Sequence, residues 1–267
     1  MTIEEKISKI ISSDVLTAAR LIRQLENGEP EGAEIMQQLR AHTGHALIIG
    51  ITGAPGAGKS SLLGCLIKYF RKEKNMTVGV VAVDPSSPVT GGAFLGDRLR
   101  MQGDELDDGL FIRSLASRGR KGGLSDTAAD TVLVMDAMRK DVVFIEAVGS
   151  GQSDIDIAGI SDCCIAVLVP GMGDEIQLMK AGFMEIGNIF AINKADMDGA
   201  ESMKALLQSV LAFRDHDESS WVPPVVLTQA VGCKGADELG EAVLRCCDWM
   251  AKNGQLEQKR QERKAGS

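Results

Sequence analysis

The chain of 267 residues is long enough for one large α/β domain with appendages, and its 44% hydrophobic and 25% charged residues are ordinary for a folded globular protein. The net charge of −8 argues against DNA or RNA as a main partner, because nucleic-acid binding needs a basic surface. The sequence has neither an apolar stretch of transmembrane length nor the basic-then-apolar start of a signal peptide, so we expect a cytoplasmic protein without a membrane partner.

The N-terminal segment predicts a helix over residues 1–28, with Asn27 and Gly28 as its stop signal, and a second helix over residues 31–41. From residue 46 onward, strand and helix patterns alternate. Seven strands are predicted, at residues 46–52, 77–83, 110–115, 141–146, 163–169, 187–193 and 224–228. Helical patterns are predicted at residues 59–73, 124–139, 174–185, 199–213 and 236–253. This alternation predicts an α/β fold with a mostly parallel central sheet and helices on both faces.

Residues 53–60 read Gly-Ala-Pro-Gly-Ala-Gly-Lys-Ser and match the phosphate-binding pattern G-x-x-x-x-G-K-[ST] between a predicted strand and a predicted helix. Glycines let backbone N–H groups close around a polyphosphate, and a helix N-terminus adds partial positive charge. Lys59 is expected to reach the β- and γ-phosphates, and Ser60 to give its hydroxyl to Mg²⁺. The predicted nucleotide contacts in this loop are Ala54, Pro55, Gly56, Ala57, Gly58, Lys59, Ser60 and Ser61. The fold class is therefore expected to be the three-layer α/β/α P-loop NTPase.

A second motif suggests which base is bound. Asn193, Lys194 and Asp196 form N-K-x-D directly after a predicted strand, as in GTPases. An Asp carboxylate accepts hydrogen bonds from the N1–H and the 2-amino group of guanine, whereas adenine would leave it unpaired. Gln229 and Ala230 follow Thr228 where GTPases carry a second guanine loop, usually with Ser in place of Gln. The alternative is that Asp196 or the nearby Asp198 caps a helix.

Three acidic residues are candidates for the metal and the γ-phosphate. Asp84 and Glu146 each end a predicted strand, and Asp97 lies in a glycine-rich loop. A carboxylate at the end of a central strand is the position that holds Mg²⁺ directly or through water. Each of the three acids, taken alone, is also compatible with a cap or a turn. Gln152 either positions the attacking water or caps a turn.

The cysteines and the basic C-terminal stretch are expected to have no special role. The six cysteines form no C-x-x-C pair and no ligand cluster with the three histidines, so reduced and mostly buried thiols are expected, with metal ligands as the alternative. The basic stretch at residues 259–264 is expected to be a solvated helix end.

Several stretches together resemble the MeaB/ArgK family of SIMIBI-class GTPases, which act as chaperones of adenosylcobalamin-dependent acyl-CoA mutases. The resemblance covers about residues 10 to 260, and the runs after Asp84 and around residues 173–177 are the most specific. The matching stretches are residues 50–61, 83–88, 91–97, 111–113, 146–153, 170–177 and 192–196.

The resemblance implies roles for particular residues. It assigns three acids to the Mg²⁺ and γ-phosphate site, namely Asp84, Asp97 and Glu146. It makes residues 85–109 and 147–160 switches I and II, and residues 173–180 a further switch that relays signals to the mutase. Lys180 is then a candidate for contact with the active site, or else a solvated helix residue. The predicted catalytic set is Lys59, Asp97, Glu146, Gln152 and Lys180.

The chain also departs from the family pattern. In switch II, Ala147, Ser150 and Asp154 stand where the family usually has Thr, Val and Glu. The chain reaches Ser267 soon after the family's C-terminal dimerisation arm would begin, so a homodimer is possible but the arm is expected to be short. The expected organisation is an N-terminal helical extension at residues 1–44, a GTPase domain at 45–235 and a C-terminal helix at 236–267.

The leading functional hypothesis is a slow GTPase that gates adenosylcobalamin loading or protection in methylmalonyl-CoA mutase or an isobutyryl-type mutase. Mg²⁺ and GTP or GDP are the expected cofactor and nucleotides, and no directly bound cobalamin is predicted, because the sequence lacks an Asp-x-His-x-x-Gly motif. A nickel-delivery GTPase and a small-molecule kinase or ATPase are the alternatives.

Overall fold

The structure is a computed structural model that describes residues 1–84, 107–116, 126–146, 152–171, 183–213 and 220–265. Two of the predicted catalytic residues, Asp97 and Lys180, lie outside the described residues. The additional switch predicted at residues 173–180 lies outside them as well.

The described residues form one sheet of seven parallel strands in the order β3-β2-β4-β1-β5-β6-β7. Each strand lies within two residues of its predicted position, because short β-branched runs between turn signals are typical of buried parallel strands. The strands are β1 Leu47–Gly53, β2 Val78–Asp84, β3 Leu110–Ala116, β4 Val142–Glu146, β5 Cys163–Leu168, β6 Ile189–Ile192 and β7 Val225–Leu227. The predicted α/β/α fold class is confirmed.

Helices cover both faces of this sheet. A 3₁₀ turn at Arg40–His42 follows the third helix, and a π-helical turn at Tyr69–Glu73 extends the fourth. The helices are α1 Ile3–Ile11, α2 Val15–Asn27, α3 Pro30–Leu39, α4 Lys59–Lys68, α5 Asp126–Ala137, α6 Gln152–Ile160, α7 Phe183–Ile186, α8 Ala200–Ala212, α9 Ala236–Lys252 and α10 Gln255–Ala265. Among the described segments, none is a helix with the length and apolar character that a membrane crossing requires.

The single helix predicted over residues 1–28 was wrong, because two helices, α1 and α2, occupy this segment. Ser13 between them has a left-handed backbone, with φ of 65°. The Asp14 carboxylate then accepts the Thr17 N–H at 2.8 Å and caps the N-terminus of α2. Gly28 ends α2 in the left-handed conformation, with φ of 69°, at the predicted stop signal.

The core is divided by the sheet. On one face, α4 and α9 pack on the sheet in a cluster that includes Phe144 of β4 and Val243 of α9, both of which are fully buried. On the other face, α1, α2, α3 and α5 share a cluster that includes Ile22 and Ile145. A third cluster joins α8 to β6 and β7 around Phe190. The N-terminal helices therefore bury their apolar faces against the same sheet that carries the phosphate loop. The domain boundaries at residues 44 and 235 remain predictions.

The C-terminal segment contains two helices, α9 and α10, which Asn253 and Gly254 separate. The solvated helix end expected at residues 259–264 was correct only in part. The stretch lies in the last turns of α10, and Gln261, Glu262 and Lys264 are exposed, but other basic side chains contact the segment before β5. Lys259 Nζ donates to the Ser161 carbonyl at 2.7 Å, and Arg263 Nη1 lies 2.6 Å from the buried carboxylate of Asp162. The expectation rested on the many charged residues of this stretch. Such a pattern does not reveal that the basic side chains have carbonyl and carboxylate partners about 100 residues away in the chain.

Candidate functional site

The loop between β1 and α4 has a backbone that only glycine adopts without strain. Gly53, Gly56 and Gly58 have φ of 145°, 76° and 88°. A Cβ on Gly53 would stand 2.3 Å from the Val167 carbonyl oxygen of the neighbouring strand. A Cβ on Gly58 would stand 2.4 Å from Asn193 Nδ2. These close approaches bring the loop against the strand ends. A glycine-rich loop followed by a helix N-terminus is the local structure that can bind a phosphate through backbone N–H groups.

Lys59 begins α4 and folds back over the loop. Its ammonium donates to the carbonyls of Gly53 and Ala54 at 2.8 and 3.2 Å, and the residue is only 6% exposed. In this part of the described chain, no side chain caps the N-terminus of α4, so its first-turn N–H groups and dipole can bind an anion. The other residues of the predicted phosphate loop surround this point, with Ala57 buried and Pro55, Gly56 and Ser61 exposed.

Ser60 and Glu146 meet at the carboxyl ends of two adjacent strands. The Ser60 hydroxyl donates to Glu146 Oε1 at 2.5 Å, and Glu146 is 7% exposed at the end of β4. This contact follows from the register, in which Ile51 of β1 pairs with Glu146 just before the loop begins. A hydroxyl and a carboxylate are the hard oxygen ligands that Mg²⁺ prefers, so the residues fit this ion.

The remaining predicted metal and catalytic residues are described only in part. Asp84 ends β2, whose residue Ala82 pairs with Glu146, so the backbone of Asp84 ends at the same edge of the sheet. Gln152 begins α6. The side chains of Asp84 and Gln152 lie outside the described part of the structure, so their roles stay predictions.

Asn193 connects the phosphate loop to the second guanine loop. It is 1% exposed, and its Nδ2 donates to the Ala57 carbonyl at 2.8 Å. Its Oδ1 accepts the Ala230 N–H at 3.1 Å and lies 3.4 Å from Thr228 Oγ1. A buried amide that satisfies both of its ends in this way fixes two loops relative to each other.

Asp196 lies at the molecular surface, three residues after the buried Asn193. Lys194 has a left-handed φ of 56°, and the Ala195 N–H donates to the Thr228 carbonyl at 3.0 Å, which turns the chain outward. Asp196 is exposed beyond this turn and is accessible to a ligand. The described N-cap of α8 is Gly199, without a capping side chain, so neither Asp196 nor Asp198 serves as the cap.

The predicted second guanine loop is a short closed turn after β7. Gln229 and Lys234 exchange two backbone hydrogen bonds of 3.0 and 3.1 Å, and Ala230 in this turn presents its N–H to Asn193. The sequence did not predict Thr228 as a site residue, although its position directly before Gln229 in the motif was a usable signal.

The family described as "Methylmalonyl Co-A mutase-associated GTPase MeaB" matches residues 18–267. The chain belongs to the MeaB family. A putative GTPase of Pyrococcus abyssi is 46% identical over 263 residues, which are 98% of this chain and 81% of the relative. The GTPase ArgK of Escherichia coli is 34% identical over 98% of this chain and 81% of its own length. A crystal structure titled LAO/AO transport system kinase superposes with a TM-score of 0.80 at 26% identity, covering 99% of this chain and 81% of that one. The resemblance to the MeaB/ArgK family is thereby confirmed.

One feature of this MeaB-family chain contradicts the sequence prediction. Cys65 on α4 and Cys233 in the second guanine loop form a disulfide, with 5.3 Å between their Cα atoms, whereas reduced thiols were expected. Their separation of 168 positions in the sequence hides this proximity from any local pattern. The other four cysteines are free and buried. A hydrogen bond with Cys246 and burial raise the pKa of the Cys163 thiol, and burial raises that of Cys247, so both stay protonated.

Proposed function

We propose that the protein binds and hydrolyses GTP and uses this cycle to gate the loading or protection of adenosylcobalamin in an acyl-CoA mutase. The observation that carries the proposal is the position of Asn193, whose buried amide joins Ala57 of the phosphate loop to Ala230 of the second guanine loop. This contact supports a single site with a phosphate end and a base end. The description of the matching family supports a mutase as the partner.

At the base end, Asp196 would select guanine. Its exposed carboxylate would accept two hydrogen bonds, from N1–H and the 2-amino group, and adenine offers neither donor. Leaving a recognition carboxylate unpaired costs roughly 10⁴–10⁵ in discrimination where a site is built around such bonds. The Ala230 N–H and Lys194 would complete this end of the site, and the Gln229 side chain is proposed only as a flanking contact.

At the phosphate end, Lys59 would exchange its two carbonyl partners for phosphate oxygens, and the N–H groups of α4 would face the same oxygens. Ser60 and Glu146 would hold Mg²⁺, together with Asp84 and Asp97. Mg²⁺ bound there supplies electrostatic stabilisation of the negative charge on the phosphates. Transfer of the phosphoryl group to water needs positioning and charge stabilisation but no covalent intermediate. Gln152 is proposed to orient the water.

Slow intrinsic turnover is part of the proposal, with a mutase completing the site. The partner is proposed to be methylmalonyl-CoA mutase or an isobutyryl-type mutase, reached through residues 173–180 and Lys180. The nickel-delivery alternative needs a Cys/His cluster, and the described residues contain no group of three or more potential metal ligands. No observation in the described chain favours it or the kinase alternative.

The test measures phosphate release from GTP and from ATP, with and without the mutase from the same organism. We expect slow hydrolysis of GTP alone, acceleration by the mutase, and little hydrolysis of ATP in either case. Lys59→Ala is the control, because it removes the cation at the phosphate end and should abolish both the basal and the stimulated rate. Fast hydrolysis that no mutase changes would contradict the chaperone role, and equal use of ATP would contradict the guanine assignment.

A further inference from the structure

The disulfide between Cys65 and Cys233 joins the two ends of the candidate site through a covalent bond. Cys65 lies in α4, six residues after Lys59, which corresponds to about 9 Å along the helix. Cys233 lies in the turn closed by Gln229 and Lys234. The bond therefore fixes α4, at the proposed phosphate end, to the turn after β7, at the proposed base end.

The turn around Cys233 contains an unfavourable backbone conformation that its surroundings must stabilise. Cys233 has φ of 54°, in the left-handed region that non-glycine residues seldom adopt. The Cys65 sulfur lies 3.3 Å from the carbonyl oxygen of Ala230, the residue whose N–H binds Asn193. The disulfide thus contacts Ala230, the residue through which the proposed second guanine loop binds Asn193.

The two cysteine residues differ in exposure. Cys65 is 4% exposed, whereas Cys233 is partly exposed at the molecular surface. Of the two residues, Cys233 is therefore the one that we expect a thiolate in solution to attack, with Cys65 as the leaving thiol. The four free cysteines are buried and do not compete for this reaction.

We propose that Cys65–Cys233 is a reversible thiol–disulfide site that sets the affinity of the protein for guanine nucleotides. The proposal rests on the guanine-nucleotide binding proposed above. In reduction, a small dithiol is oxidised to its disulfide, and its two hydrogens pass to the sulfurs of Cys65 and Cys233. In oxidation, the two thiols form the disulfide while a small-molecule disulfide such as glutathione disulfide is reduced to two thiols.

Opening the bond should weaken nucleotide binding because the loop gains freedom that the ligand then has to remove. Without the disulfide, Cys233 can leave its left-handed conformation, and the turn that presents the Ala230 N–H becomes less ordered. Ordering the backbone of one residue corresponds to a loss of about 5- to 30-fold in affinity. We expect the dissociation constant for GDP to rise by that factor on reduction.

The experiment titrates the full chain with GDP by calorimetry after treatment with glutathione disulfide or with dithiothreitol. Counting thiols under denaturing conditions verifies the two states, because four thiols are expected in the oxidised protein and six in the reduced one. Under both treatments, the variant Cys65→Ser/Cys233→Ser should bind GDP with the same lower affinity as the dithiothreitol-treated protein. Cys233→Ser alone provides the same readout if the double variant does not fold.

The outcomes separate this proposal from the proposed function. Equal GDP affinity in the two verified states overturns the thiol–disulfide site alone, even if the melting temperature differs, because the bond would then be only a structural link. A count of six thiols after oxidation also overturns it. If neither state binds GDP, guanine-nucleotide binding itself is overturned, and this proposal with it.

Discussion

Asn193 is the residue at which the two ends of the candidate site meet. Its amide has partners on both sides, the Ala57 carbonyl and the Ala230 N–H, and it is almost fully buried. Gly58 makes this contact possible, because any side chain at that position would occupy the space of the Asn193 amide. The sequence motif identified Asn193, Lys194 and the later Asp196 as neighbours in the chain, but their partners follow from the sheet order.

The Asp196 side chain offers a test of base selection. In Asp196→Asn, the amide can donate to the carbonyl at C2 of xanthine, where guanine has its amino group. We expect the affinity for GTP to fall by about 10- to 100-fold, because a hydrogen bond to a charged group contributes about 1.5–3 kcal/mol, and we expect xanthosine triphosphate to bind better than it does to the unmodified protein. Competition titrations with GTP, ATP and xanthosine triphosphate measure this change.

Asp198→Asn is the matched control for that experiment. Asp198 is exposed and lies two residues further along the chain, so this variant makes the same change of charge next to the site. We expect its affinity for each nucleotide to stay within about twofold, as for other exposed surface substitutions. If Asp196→Asn and Asp198→Asn behave alike, Asp196 does not read the base.

At the scale of elements, an ion pair ties the start of β3 to the end of α4. Arg71 in the π-helical turn donates to both carboxylate oxygens of Asp107, at 2.7 and 2.6 Å, and to the Met76 carbonyl at 2.7 Å. Asp107 also accepts the Gly109 N–H at 2.9 Å, just before β3 begins. Bidentate pairs of this kind combine charge with fixed geometry. The pair therefore anchors the chain where it re-enters the sheet after the glycine-rich segment.

This pair predicts a pH dependence of stability. The hydrogen bonds from Arg71 lower the pKa of the Asp107 carboxyl below its ordinary value. The Arg71–Asp107 pair therefore stabilises the fold fully above the pKa of Asp in the unfolded chain, about 3.9. This stabilisation is lost as the pH falls through the lower pKa of Asp107 in the folded state. In Asp107→Asn, we expect the free energy of unfolding at pH 7 to fall by about 1 kcal/mol, since the pair is partly exposed.

Urea denaturation at pH 7 and at several values below pH 4.5 measures this difference. The difference in the free energy of unfolding between the unmodified protein and Asp107→Asn should become smaller as the pH falls. The neighbouring Asp108, which is exposed, provides the control variant Asp108→Asn, for which little change is expected. A gap that stays constant with pH would show that the carboxylate charge is not the cause.

At the scale of the whole molecule, α10 returns to the edge of the sheet opposite the candidate site. Asp162, which is 0% exposed, accepts the Ile48 N–H at the start of β1 and pairs with Arg263 at 2.6 Å. The Arg263 carbonyl in turn accepts a hydrogen bond of 3.1 Å from Arg40, which follows the N-terminal helices. Both ends of the chain therefore stabilise the starts of β1 and β5.

Removing this ion pair should affect stability but not nucleotide binding. In Arg263→Ala, the buried carboxylate loses its cation, and such losses cost about 3–5 kcal/mol. We expect a lower free energy of unfolding and an unchanged dissociation constant for GDP, measured by denaturation and by calorimetry. Lys252→Ala, at an exposed site near the end of α9, is the control with the same loss of charge. A loss of stability below about 0.5 kcal/mol, typical of a surface site, would contradict the anchoring role.

The sequence by itself determined the seven strands and the α/β class, and it contains the patterns from which the phosphate loop and the guanine motif are predicted. Strand periodicity, glycine spacing and short motifs express local backbone preferences and burial, and these are encoded within a few residues of each position. Only the tertiary structure decided which side chains meet across the chain. The contact of Asn193 with Ala57, the Arg263–Asp162 pair and the Cys65–Cys233 bond each depend on which strands lie side by side, and no local pattern carries that information. The physical reason is that such partners become neighbours only when the sheet assembles and buries them together.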